Sequence, residues 1–132
     1  MKKLLLLRAG VFFKVSNVEV GEEEIELETY YKNLECNHID IVDPYGLDEE
    51  GRKKYCLIID DEALLEKNPE INFLGSLLYG VLEHRQPLAG EVLVGKNKYT
   101  EDGLCTVGLE DEDVRYILDS LEDLRKKLIE KA

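Results

Sequence analysis

The sequence predicts an α+β fold: a mixed, largely antiparallel sheet of about five or six strands, packed by two or three helices, one of them a long C-terminal amphipathic helix. Three observations carry this expectation. Short apolar runs bounded by Gly, Asn, Asp or Pro recur along the chain, Tyr55 to Ile59 and Glu91 to Gly95 being the clearest strands. Ile25, Leu27, Tyr30, Tyr31 and Leu34 recur at helical rather than strand spacing. Val114, Ile117, Leu118, Leu121, Leu124 and Leu128 then form one apolar stripe of a final helix. At 132 residues the chain fits one domain, 1–132, able to bury roughly two-thirds of its unfolded surface.

Taken in order, Lys3 to Arg8 and Val11 to Val15 read as strands separated by Gly10 and closed by Ser16-Asn17, with Val18 to Val20 extending the sheet. The first helix follows and ends around Asn33 to Asn37. His38 to Val42 alternates polar and apolar up to Asp43-Pro44, as a short strand does. Gly46 to Lys54, charged and carrying Gly51, reads as a flexible connection that lets His38 to Val42 pair with Tyr55 to Ile59. Asp60 and Asp61 stand where that strand gives way to a helix over Glu62 to Lys67, with Asp61 as its cap and Asn68-Pro69 as its stop. Leu77 to His84 fits either strand or helix, and Gly80 tips the reading to strand. Leu104 to Val107 makes a last strand after a turn at Thr100 to Gly103. In the final helix, Asp111 to Asp113 and the run Arg125 to Lys127 complement the two ends of the helix dipole. Its apolar stripe fits a core contact or a dimer seam.

With 44% hydrophobic and 35% charged residues, the chain has enough apolar surface to fold. Leu4 to Leu7 is cut by Arg8, too short for a secretory core or a membrane span. Cys36, Cys56 and Cys105 are odd in number and lack Cys-x-x-Cys spacing, so neither a disulfide framework nor a zinc site is expected and the cytoplasm is the expected compartment. Cys36 and His38 alone do not complete a metal site. A net charge of −12 repels nucleic acid and anionic membranes at long range, so neither is an expected partner. Glu19, Glu22, Glu23, Glu24, Glu26 and Glu28 form an acidic run, which is either a solvated face or a surface that mimics DNA phosphates for a basic protein.

The chain holds no Walker loop, no Gly-x-Gly-x-x-Gly and no zinc signature. Cys56 or Cys105 with His84 is a conceivable nucleophile and base, but Cys56 sits inside an apolar strand where thiols are inert. Asp60, Asp61 and Glu62 fit paired carboxylates at a strand end, or simply a helix start. No catalytic residue, metal or cofactor is assigned.

YCLIIDDEALLEKNPEIN (Tyr55 to Asn72), PLAGEVLVGK (Pro87 to Lys96), the turn at Glu101 to Gly103 and GLEDEDVRYIL occur in an order that resembles a family of small proteins of unknown function carried by phages and mobile elements of Gram-positive bacteria. The likeness spans roughly Glu22 to Leu121, and Leu74 to Arg85 fits it least. It implies an accessory protein, of a class that often counters host defence.

Within that frame, the best concentration of convergent polar groups is Glu83, His84, Arg85 and Gln86 together with Lys96, Asn97, Lys98 and Tyr99, which combine cations for phosphate, amides for base or ribose edges, and an aromatic face. If strands through Leu82 and Val94 are neighbours, both groups emerge at one edge of the sheet. The expected ligand residues are His84, Arg85, Lys96, Asn97, Lys98 and Tyr99, with Asn68 as a weaker addition. The expected activity is sequestration of a small nucleotide-type signal by a homodimer or higher homo-oligomer. The alternatives are an acidic interaction protein acting through Glu22 to Glu28 and a hydrolase of the same signal.

Overall fold

The computed structural model describes residues 2–10 and 14–131. Residues 11–13, at the head of the expected strand Val11 to Val15, lie outside them. In chain order the elements are β1 (Lys2–Leu7), β2 (Val15–Val20), α1 (Leu27–Leu34), β3 (Ile39–Val42), α2 (Glu49–Lys54), β4 (Tyr55–Asp60), β5 (Ile71–Asn72), α3 (Phe73–Tyr79), β6 (Leu88–Ala89), β7 (Val92–Thr100), β8 (Gly103–Val107) and α4 (Asp111–Lys131). The fold is α+β, with a six-stranded antiparallel sheet and four α-helices, the last one long.

Strands run in the order β2-β1-β7-β4-β3, with β8 also on β7. Lys96 pairs with Tyr55 on one edge of β7 and with Val107 on the other, whereas Val92 to Val94 pair with β4 and β1. β8 therefore continues the line of β1 along the same edge of β7, and a bridge from Lys3 to Leu109 joins the two.

Both faces of this sheet are covered. Leu5, Leu7, Leu57, Val92 and Val94 face α3 and α4, packing on Leu74, Leu77, Leu78, Ile117, Leu121 and Leu124. Leu4, Leu6, Cys56, Ile58 and Leu93 face the other way, onto Tyr30 and Leu34 of α1. A strand buried on both faces has no reason to alternate, which is why β1 and β4 read as unbroken apolar runs. Each such Leu or Ile contributes about 1.5–3 kcal/mol of burial. The apolar stripe of α4 is consumed by this core.

Four local expectations change. Ser16 and Asn17 do not close a strand but lie inside β2, paired with Leu6 and Leu5. Gly46 to Lys54 is not a flexible connection: it contains α2, capped by the Asp48 carboxylate, which accepts the Gly51 N–H at 2.8 Å. Gly51 serves there as a space rather than a breaker, because a Cβ at that position would lie 2.6 Å from the Tyr116 hydroxyl. The helix expected over Glu62 to Lys67 shrinks to one 3₁₀ turn, Ala63–Leu65, and Asp60 rather than Asp61 accepts the Glu62 N–H. Of the turn's three residues only Ala63 is buried, so a longer helix there would have no face to pack. Leu77 to His84 is no strand: α3 occupies Phe73–Tyr79, ends at Gly80 in the left-handed region, and a 3₁₀ turn Val81–Glu83 follows. Gly80 is thus a helix terminator rather than an interior weakness. Asn72 caps α3 through Gly75 and donates to the Leu7 and Gly90 carbonyls, so one buried amide ties the helix to β1 and to the turn before β7.

Candidate functional site

The expected ligand residues fall into separate places. Strand β7 runs on to Thr100, so Lys96 to Tyr99 alternate across a paired strand rather than emerge as a loop. The Asn97 amide donates to the Lys53 carbonyl at 2.9 Å and to the Tyr55 carbonyl at 3.2 Å, and so clamps α2 and β4 onto β7. Tyr99 is 75% exposed beside Leu104, its cross-strand neighbour. His84 is exposed with φ +67°, and Asn68 is exposed in the segment before β5. Leu82 lies in the 3₁₀ turn, not in a strand beside Val94. Arg85 accordingly lies over the Tyr45 ring, 3.8 Å from its centroid. Among the described residues no hydrogen bond or ion pair joins Arg85 or His84 to Lys96–Tyr99.

What gathers around Lys96 is a different set. Asp113, 1% exposed, stands in the first turn of α4 and accepts the Tyr55 hydroxyl at 2.6 Å, the Lys96 ammonium at 3.1 Å and the Glu110 N–H at 2.9 Å. The Lys54 ammonium is 3.5 Å from the same carboxylate. Burial pushes the Asp113 carboxyl up, but the Tyr55 hydroxyl, the Glu110 N–H and the Lys96 ammonium outweigh it and hold the group below the usual carboxylate range. Burial first, then the hydrogen bond to ionised Asp113, drives the Tyr55 hydroxyl far up, so it stays a donor. Tyr55 stacks on Tyr116 with centroids 5.6 Å apart, and the Tyr116 hydroxyl donates to Asp48 at 2.9 Å. Sheet end, α2 and α4 are thereby locked through one carboxylate.

Two clefts flank this centre. One, about 270 Å³, lies between α2 and α4 and is lined by Glu50, Gly51, Lys54, Tyr55, Glu112, Asp113 and Tyr116. The other, about 280 Å³, is lined by Lys2, Glu22, Lys96, Asn97, Lys98 and Val107. The first is acidic and aromatic, the second mostly cationic. Lys2 is held at the second by Glu110 at 2.6 Å, with Glu22 at 4.0 Å. Of the expected ligand residues, Lys96, Asn97 and Lys98 therefore share a cleft. Lys2, Lys54, Tyr55, Asp113 and Tyr116 were not anticipated. Asp113 was legible only as a first-turn acid suited to the helix dipole, since its burial depends on β4 and β7 lying beneath it.

Cys56 is poorly placed for nucleophilic attack. Cys56 is 1% exposed against the Thr106 hydroxyl, and burial pushes its thiol up to about 11. Among the described residues no group of three or more His, Cys, Asp or Glu could hold a metal ion, and no helix is long and apolar enough to cross a membrane. No family model matches the chain, and neither does any curated protein or solved structure.

Proposed function

We propose that the protein is a non-enzymatic accessory protein of a phage or mobile element that binds and sequesters a small nucleotide-type signal of host defence in the cytoplasm. The observation that carries this reading is the cleft where Lys2, Lys96, Asn97 and Lys98 meet, a concentration of cations in a chain of net charge −12. Ammonium groups at one cleft suit phosphoryl oxygens. Lys96 and Lys2 arrive already oriented by Asp113 and Glu110. At about 280 Å³ the cleft falls just below the roughly 300–1,000 Å³ usual for a small-molecule site, so a second copy of the chain is expected to complete the enclosure. The biological setting is taken from the resemblance of the segments between Glu22 and Leu121, Leu74 to Arg85 excepted, to proteins of phages and mobile elements.

Equilibrium binding to cyclic dinucleotides and ADP-ribose compounds tests the reading. Saturable binding lost in Lys98→Glu, with the ligand recovered intact, supports it; no binding at micromolar protein overturns it. Conversion of the ligand on incubation would instead favour a hydrolase.

The exposed run Glu22, Glu23, Glu24, Glu26 and Glu28 favours a second reading, an acidic surface that blocks a basic nucleic-acid-handling protein. Among the described residues Glu22 of this run has a cation within ion-pair distance, Lys2 at 4.0 Å. That reading requires a salt-sensitive protein complex abolished by charge reversal at Glu23, Glu24 and Glu26.

A further inference from the structure

Arg52 and Arg85 line neither cleft around Asp113, yet they share one ring. The Arg85 guanidinium carbon lies 3.8 Å from the Tyr45 centroid and that of Arg52 lies 5.9 Å from it. Tyr45 is itself fixed, edge-on to Tyr79 with centroids 6.0 Å apart, while the next residue, Gly46, donates its N–H to the Leu78 carbonyl.

The segment that delivers Arg85 is built to turn back. Gly80 (φ +110°) and His84 (φ +67°) both adopt left-handed backbone, and the Arg85 N–H bonds the Gly80 carbonyl at 3.1 Å. Such a conformation costs a non-glycine residue about 1 kcal/mol, so His84 keeps it only because the surrounding contacts impose it. The result is that the Arg85 guanidinium is held over the Tyr45 ring.

A stacked guanidinium uses its face and leaves its N–H edge available. Among the described residues the Arg85 side chain donates no hydrogen bond, Arg52 donates only from Nε to the Leu47 carbonyl, and neither has a carboxylate within ion-pair distance. Both side chains are exposed. Arg52 feels the Asp48 carboxylate at longer range, but that group is already engaged by the Gly51 N–H and the Tyr116 hydroxyl, so among the described residues neither guanidinium edge has a direct anionic partner.

We propose that Arg52 and Arg85, held on Tyr45, form an oxyanion site for a phosphoryl group, separate from the lysine cleft. Paired guanidinium forks match the oxygens of a tetrahedral dianion better than they match chloride or a single carboxylate. The stacking supplies preorganisation that a lysine in either place would lack.

Titration of the full chain with inorganic phosphate, followed through the ¹H–¹⁵N signals of the arginine Nε–Hε groups, tests this. Chloride, sulfate and acetate serve as controls at matched ionic strength. The expected result is saturating shifts of Arg52 and Arg85 at millimolar phosphate, with Arg8 and Arg125 unmoved. Arg85→Ala and Arg85→Lys should each weaken the response of Arg52 at least tenfold, the lysine variant keeping a cation over the ring as a guard against local unfolding. Lys98→Glu should leave the titration unchanged, so failure here and failure of the lysine cleft are distinguishable. Shifts that grow without saturation, that chloride or acetate reproduces, or that survive both Arg85 variants would overturn the site.

Discussion

Replacing Asp113 probes the join between sheet and helices most directly. In Asp113→Ala the Tyr55 hydroxyl and the Glu110 N–H lose their acceptor, and leaving a buried donor unsatisfied costs about 1–3 kcal/mol each. Lys96 and Lys54 also lose their counter-charge, but their side chains are 24% and 45% exposed and can turn to water. Solvent screening reduces that part to about 1 kcal/mol or less. The expected loss is about 3–4 kcal/mol, a fall in Tm of roughly 10–15 °C for a domain of this size. Tyr55 bonds one carboxylate oxygen and the Glu110 N–H the other, so Asp113→Asn keeps an acceptor for only one of the two donors and should lose about 2–3 kcal/mol. Because the carboxyl is held below its ordinary value in the folded state, the stability it adds is present above about pH 4 and is lost as pH falls through the folded pKa. Urea unfolding followed by far-UV circular dichroism at pH 7 and pH 3 measures both effects. The gap between wild type and Asp113→Asn should narrow at pH 3, because below about pH 4 the unfolded chain takes up a proton that the folded carboxyl resists. A loss below about 1 kcal/mol in Asp113→Ala at pH 7, or a gap that stays constant with pH, would refute the assignment of Asp113 as the electrostatic hub.

Further outcomes follow from single contacts. Gly46→Ala places a Cβ 2.1 Å from the Leu77 carbonyl oxygen and should destabilise the chain by about 3 kcal/mol or more, read as a lowered urea midpoint. Leu93→Ala, which empties a fully buried position on the α1 face, should cost about 2–5 kcal/mol in the same assay, whereas Tyr99→Ala at the exposed end of β7 should stay within about 0.5 kcal/mol. At pH 8 a thiol-specific reagent should leave Cys56 unlabelled in native protein and label it on unfolding, because the group is buried and its pKa is about 11; rapid native labelling at Cys56 would contradict its placement between β7 and the Thr106 hydroxyl.

Much of the sheet was legible because its signals are local. Tyr55 to Ile59 lies in β4, the expected strand at Glu91 to Gly95 is the first part of the longer β7, and β3 pairs with β4 as expected, Ile39 to Val42 against Asp60 to Leu57. The stripe from Val114 to Leu128 is a helix whose apolar side meets the core. The misread stretches share one cause. Gly51 and Gly80 read locally as breakers, but Gly51 makes room for Tyr116 and Gly80 closes α3 against Tyr45, and both roles depend on residues far away in the chain. The expected site divided for the same reason: once Leu77 to His84 folds as helix and turn, Arg85 is carried to Tyr45 instead of to Lys96.

Strands and a long amphipathic helix are encoded locally, since periodicity, turn residues and caps act over a few positions. Tertiary structure alone decided which polar side chains matter. Asp113 is one of three acids at a helix start, and only the stacking of α4 over β4 and β7 removes it from water and sets Tyr55, Lys54 and Lys96 around it. Arg85 is one of several exposed cations, and only the turn at Gly80 lays it on a ring that Arg52 also reaches. Charge is written in the sequence, but its burial and its neighbours belong to the fold, and these set how strongly a charge acts.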